Sequence, residues 1–273
     1  MDEASERAAA TYNAAADLFD NPVNSFWDRF GRRTVERLQL RAGERVLDAC
    51  CGSGASAIPA AQQVGPAGRV LGVDVAERLL DLGRAKARRL GLTNLEFRLG
   101  DMRSLGLPDE SHDAVVCVFG IFFVPDIAGA VRGLWRLVRP GGRLAVTTWG
   151  KNVFEPADTA FWEAVRAERP DLYKGFSPWD QISDPDTLRQ ALEAAGVRAA
   201  EISAESGTHS IQSPDDWWTL VVGTGYRRTV DQLDAAARER VRAANLDFLR
   251  ERGVRTLEAN VLYALATKGR GQI

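Results

Sequence analysis

Cysteine is scarce in this chain, with only Cys50, Cys51 and Cys117 among 273 residues. An odd count, two of them adjacent in an apolar stretch, excludes a disulfide framework and points to free thiols in a reducing cytoplasm. No Cys-x-x-Cys pair or histidine cluster occurs, so no metal site is expected. The histidines are His112 and His209, and the lysines are Lys86, Lys151, Lys174 and Lys268. A net charge of −2 lacks the basic excess that a nucleic-acid surface needs. No apolar run approaches a membrane span, and the acidic start "MDEASERAAA" has no signal-like core. Neither nucleic acid nor an integral membrane segment is expected, and a homodimer stays open.

What is present is a regular alternation of strand and helix. Short apolar segments at Val46–Cys50, Val70–Val73, Leu95–Leu99, Ala114–Phe119 and Arg143–Thr148 are bounded by Gly, Pro or Asp and read as strands. Helical periods lie between them. Ile127, Val131, Leu134 and Val138 share one face behind a candidate N-cap, Asp126. Leu79, Leu80, Gly83, Ala87 and Leu90 share another, with Gly91 as the stop. Such alternation implies right-handed crossovers and a parallel sheet covered on both faces. Later strands are read near Arg198–Ala204 and Leu257–Thr267. Residues 1–38 are amphipathic and aromatic, 151–184 carry aromatics with scattered Pro and Gly, and 207–253 look mostly helical. They read as a lid and two cap insertions on an α/β core formed by 39–150, 185–206 and 254–273.

The chemistry centres on "RVLDACCGSGASA", residues 45–57, an apolar strand running into a glycine turn and a helix. Gly52, Gly54 and Ala57 fit the dinucleotide fingerprint G-x-G-x-x-G/A. They equally fit a loop for S-adenosylmethionine (SAM). Asp74, ending the second strand, suits the ribose hydroxyls of either cofactor, so an NAD(P) oxidoreductase and a methyltransferase both stand at this point. Asp48 divides the two readings. A carboxylate beneath the loop repels a pyrophosphate but favours the ammonium and sulfonium of SAM. Asp101 and Met102, in "RLGDMRSL", can accept from and pack on an adenine. "LVRPGGRLAVTTW" adds a helix, a Pro140-Gly141-Gly142 turn and a fifth strand.

With "VLDACCGSG", "VLGVDVAERLL", "FRLGDM", "DAVVCVFGIFFVPD" and "WRLVRPGGRL" in order, the chain resembles the class I SAM-dependent methyltransferases. It is closest to the small-molecule group that includes the ubiquinone/menaquinone C-methyltransferases. The resemblance covers about residues 10–150. It implies a Rossmann-like seven-stranded, mostly parallel sheet with the last strand antiparallel, helices on both faces and a helical cap. It places Asp48, Cys50, Gly52 and Gly54 along the methionyl part of SAM and Asp74 on the ribose. Val75, Asp101 and Met102 would meet the adenine, and Phe119 and Gly120 the sulfonium. Cys50 departs from the family's usual glycine and reads as a small packed residue. A lid containing Tyr12, Phe19 and Trp27 is implied over the cofactor. The product would be S-adenosylhomocysteine (SAH).

The acceptor is expected to meet Phe119, Phe122, Phe123, Trp149, Trp27 and Trp217 in an apolar pocket. "FGIF" stands where amino-methylating nucleic-acid and protein-glutamine enzymes carry Asn-Pro-Pro-aromatic, which points away from those substrates. His209 and Tyr12 are the candidate bases, with Glu155 behind them, and none has a motif in support. His112 reads as a surface turn residue, and "GRAKARRLG" as a solvated helix face. The leading reading is methyl transfer to a small apolar or aromatic O, N or C acceptor in specialised metabolism. A quinone-pathway C-methyltransferase is the first alternative. A non-catalytic SAM-binding regulator is another.

Overall fold

The computed structural model describes residues 3–269. The N-terminal stretch forms α1 (Glu3–Phe19) and α2 (Phe26–Leu38). The strand–helix series follows: β1 (Arg45–Ala49), α3 (Ala57–Val64), β2 (Arg69–Asp74), α4 (Glu77–Arg89), β3 (Leu95–Leu99), β4 (His112–Val118), α5 (Ile127–Leu137) and β5 (Val138–Trp149). Then come α6 (Ala157–Glu168), α7 (Pro185–Ala194), β6 (Glu201–Glu205), β7 (Thr208–Ser210), α8 (Pro214–Val222), α9 (Arg227–Val230), α10 (Ala235–Glu251), β8 (Thr256–Glu258) and β9 (Val261–Thr267).

Seven strands form one sheet in the order β3-β2-β1-β4-β5-β9-β6. The first five pair in parallel, and β9 runs antiparallel to both β5 and β6. The order reverses beside β1, so β1 and β4 diverge to helices on opposite faces and leave a crevice at their carboxyl ends. Val46, Leu47, Val115 and Val116 are fully buried, as strands covered on both faces require. Asp126 caps α5 by accepting from the Gly129 N–H, and Gly91 ends α4 at φ +67°.

The structure redraws several expected boundaries. The segment Leu257–Thr267 is two strands. Thr256–Glu258 pairs with Thr208–Ser210 in a separate ribbon, and Val261 onward enters the main sheet. The chain changes sheets at Asn260, whose amide side chain donates to the Lys151 carbonyl and accepts from the Gly207 N–H. The strand read from Arg198 starts at Glu201, after Ala199 adopts a left-handed φ of +57°. The Pro140-Gly141-Gly142 turn is a bulge inside β5. Val138 already pairs with His112, and regular pairing resumes at Ala114 with Arg143. His112 is buried in β4, and burial pushes its imidazole down to about 4, so it stays neutral. Lys86, on the helix face read as solvated, donates to Asp20 and Ser53 at 2.9 and 2.8 Å and ties the end of α1 to the glycine loop.

The helix α2 packs directly on that loop. A Cβ at Gly31 would stand 2.5 Å from the Ala55 carbonyl oxygen, so only glycine permits this approach. Phe26 and Phe30 of α2 are fully buried against the sheet, each worth about 1.5–3 kcal/mol.

Candidate active site

Two cavities meet over the carboxyl ends of β1, β2 and β4. The first spans about 900 Å³, the second about 1130 Å³, open mouths included. They share Ala8, Tyr12, Trp27, Phe119 and Phe123 as a common wall.

The first cavity is built by the glycine loop, the ends of β2, β3 and β4, and α1. Gly52 turns at φ +52°, and its N–H donates to Asp74 at 2.8 Å. Asp74 also accepts from the Ala76 N–H at 2.9 Å, so two amides hold the carboxylate at the strand end. Burial nevertheless raises its pKa. Asp101 accepts from Arg103 and from Ser5 of α1, the latter at 2.7 Å. The Arg103 hydrogen bonds hold it down at about 2, so it is ionised. Tyr12 and Phe19 from α1, with Trp27 from α2, roof the cavity, and Phe19 stacks on Trp27 at 5.3 Å. Cys50, Gly52, Asp74, Val75, Asp101, Met102, Phe119 and Gly120 all line it. Ser5 and Cys51 line it too; neither stands out in the sequence, because the contact of Ser5 spans 96 residues.

Asp48 and Gly54 lie outside this wall. Asp48 is buried beneath the loop, accepts from Ser56 Oγ at 2.6 Å, and braces the start of α3. Burial lifts its carboxyl to about 7. Gly54, at φ +95°, turns toward Ile58 and Phe97 instead. Cys50 takes the left-handed φ of +63° that a glycine would favour. Its Cβ fills the space above Gly120, where a second Cβ would stand only 2.3 Å away. A hydrogen bond with Cys117, then burial, pushes the Cys50 thiol well up, against thiolate chemistry.

The second cavity is aromatic. Phe122, Phe123 and Trp149 line it with Phe119, as do Phe154, Trp162 and Trp179. Trp149 stacks on Phe119 at 4.0 Å and 16°. Trp217 lies elsewhere, fully buried, its indole N–H donating to Asn245 at 2.8 Å. The three expected bases part company. His209 meets the Val23 carbonyl at 2.6 Å and packs edge-on against Phe26, away from both cavities. Glu155 lines a separate cleft beside the second cavity. Tyr12 is at the junction, but burial, then Asp74 and Cys50, raise its hydroxyl, so it keeps its proton.

The first cavity discriminates between cofactors. Asp74 and Asp101 face it, and no lysine, arginine or histidine among the described residues does. A pyrophosphate would meet no cation there, whereas a cationic cofactor meets no like charge. The Oδ1 of Asp48 and the indole N–H of Trp27 are buried without partners, one acceptor and one donor beside this space. The residues fit SAM. Among the described residues no group of three His, Cys, Asp or Glu could hold a metal.

Known proteins agree. The ubiE/COQ5 methyltransferase family profile matches residues 2–172. The ubiquinone/menaquinone biosynthesis C-methyltransferase UbiE of Cronobacter sakazakii is 34% identical over 154 residues, 56% of this chain and 60% of that protein. UbiE of an Enterobacter species is 33% identical over 206 residues, 71% of this chain and 80% of that protein. Among solved structures, the [4+2]-cyclase SpnF aligns with a TM-score of 0.62 at 22% identity, covering 98% of this chain and 97% of its own. YcgJ of Bacillus subtilis aligns at 0.58 and 19% identity, over 89% and 100%. These likenesses show the fold. Fold, acid-lined crevice and relatives together define a SAM-dependent methyltransferase, which sets aside the NAD(P) oxidoreductase. The chain belongs to the ubiE/COQ5 methyltransferase family.

Proposed function

We propose that the second cavity receives a small, largely apolar or aromatic acceptor, methylated on O, N or C. The observation that carries this reading is the common wall. Tyr12, Trp27, Phe119 and Phe123 face both cavities, so a group bound in one abuts a group bound in the other. In the first cavity we assign Asp74 to the ribose, Asp101 and Met102 to the adenine, and the Cys50–Gly52 turn to the methionyl end, with Asp48 acting from beneath. SAM supplies a methyl on an electron-poor sulfur. The aromatic wall orients the acceptor and excludes water, which accounts for much of the rate in such displacements. Tyr12 holds its proton, and His209 and Glu155 stand off, so the junction suits an acceptor that needs no base.

In this reading residues 1–38, 151–184 and 207–253 are lid and caps over a core of 39–150, 185–206 and 254–273. Three free cysteines suit a reducing cytoplasm, and no described helix is long and apolar enough to cross a membrane. The UbiE relatives support quinone-ring C-methylation as the second reading. Yet Tyr226, on the second cavity, lies well beyond residues 2–172 that the family profile matches, which favours an acceptor of this chain's own. Indole N–H resonances test the assignment. With SAH bound, small aromatic fragments should shift Trp27, Trp149, Trp162 and Trp179 while leaving Trp217 still. Fragments that move none of the four refute it.

A further inference from the structure

The two cavities carry opposite charge. Arg7, Lys174 and Arg228 line the second, and no carboxylate among its described residues does. Resting on the placement of the acceptor there, we propose that the acceptor is an anion: an apolar or aromatic body bearing a carboxylate-type group, met at the cavity mouth by Lys174 and Arg228.

Surface cations are usually solvated or paired, and three observations separate these two from that default. First, Arg7 pairs with Glu3, whereas Lys174 and Arg228 have no ion-pair partner among the described residues. Second, Lys174 also lines the adjoining cleft, and none of the four acids there forms an ion pair with it. Asp158 accepts from the Tyr226 hydroxyl, and Glu155 accepts from Thr159 at 2.6 Å. Glu163 pairs with Arg166, and Asp180 accepts from the Ser177 N–H at 2.7 Å. Third, Lys174 stands beside the aromatic wall, its Nζ 5.5 Å from the centre of the Trp162 ring. Partial burial, and then repulsion by Arg228, lower its pKa, and no carboxylate offsets them. Two like charges left together beside an apolar cavity are relieved by a bound anion. An acid group held at the mouth anchors the molecule and leaves its body against the shared aromatic wall.

The test uses the full chain with SAH bound and a matched pair of probes, 2-naphthoate and 2-naphthamide, measured by isothermal titration calorimetry. Naphthoate should bind about tenfold tighter than naphthamide. That preference should vanish in the double variant Lys174→Ala/Arg228→Ala, with naphthamide and SAH affinities unchanged. Both side chains are exposed, so the variant keeps the fold. Equal affinity for the two probes overturns the inference and leaves the aromatic cavity standing. Binding of neither probe overturns both readings. If the variant keeps its naphthoate preference yet loses binding to phosphatidylglycerol vesicles, the cations serve a lipid surface and the inference fails.

Discussion

The two cavities share a wall and differ in almost everything else. The first is lined by carboxylates at strand ends, on a backbone fixed by the sheet. The second is lined by aromatic residues from α1, α2, the ends of β4 and β5, the 151–184 segment and the turn before α9, and by cations from α1, that segment and α9. The contrast teaches that a parallel sheet can standardise one half of a transferase while added segments define the other. A strand end is positioned by register, so a residue type at a given offset lands in a given place. A cap residue is positioned by packing against partners scattered along the chain.

The largest expected effect is on the acidic side. Asp74→Ala should weaken SAH binding by roughly a hundredfold, since it removes a charge-assisted acceptor and frees the Gly52 amide. Unchanged affinity in calorimetry would refute the ribose assignment. Asp101→Asn should act next, at about tenfold, by loosening the Ser5 contact that holds α1 down. Faster amide exchange across Glu3–Phe19 should accompany it, and exchange at the wild-type rate would detach the lid from Asp101.

Asp48 gives a pH signature from beneath the loop. Its folded carboxyl is raised to about 7, so between the ordinary carboxylate range and 7 the folded state holds more protons than the unfolded state. Stability from this group is therefore full below that window and is lost as pH rises through it. Asp48→Asn should flatten the decline between about pH 4 and 7 in denaturant melts without ligand. A decline equal to wild type would show that the carboxyl is not raised. The smallest effect is expected at Cys50. Cys50→Gly should change stability by no more than about 1 kcal/mol, relief of the left-handed backbone offsetting lost packing. Its thiol should resist alkylation in the native protein at pH 8, and labelling within minutes would contradict the raised pKa.

Legibility in the sequence follows the same division. The glycine turn, Asp74, Asp101 and Met102 were readable because period and punctuation fix them on one sheet. Asp48 was readable as an acid under the loop, but not as a brace for α3. Trp217 and His209 look like site residues in a linear reading, since an aromatic or an imidazole in a cap draws attention. Their hydrogen bonds to Asn245 and Val23 turn them elsewhere. The split of Leu257–Thr267 was hidden because both halves are apolar, and the sheet change depends on Asn260 contacts with distant backbone.

The sequence by itself determined the α/β alternation, the glycine turn and the acids that suit a sulfonium cofactor, because these depend on local period and strand-end position. Only the tertiary structure decided which aromatic residues share a wall, and that Lys174 and Arg228, 54 residues apart, share one cavity with no ion-pair partner among the described residues. Charge is a property of residues, but whether it is satisfied is a property of neighbours, and neighbours are set by packing.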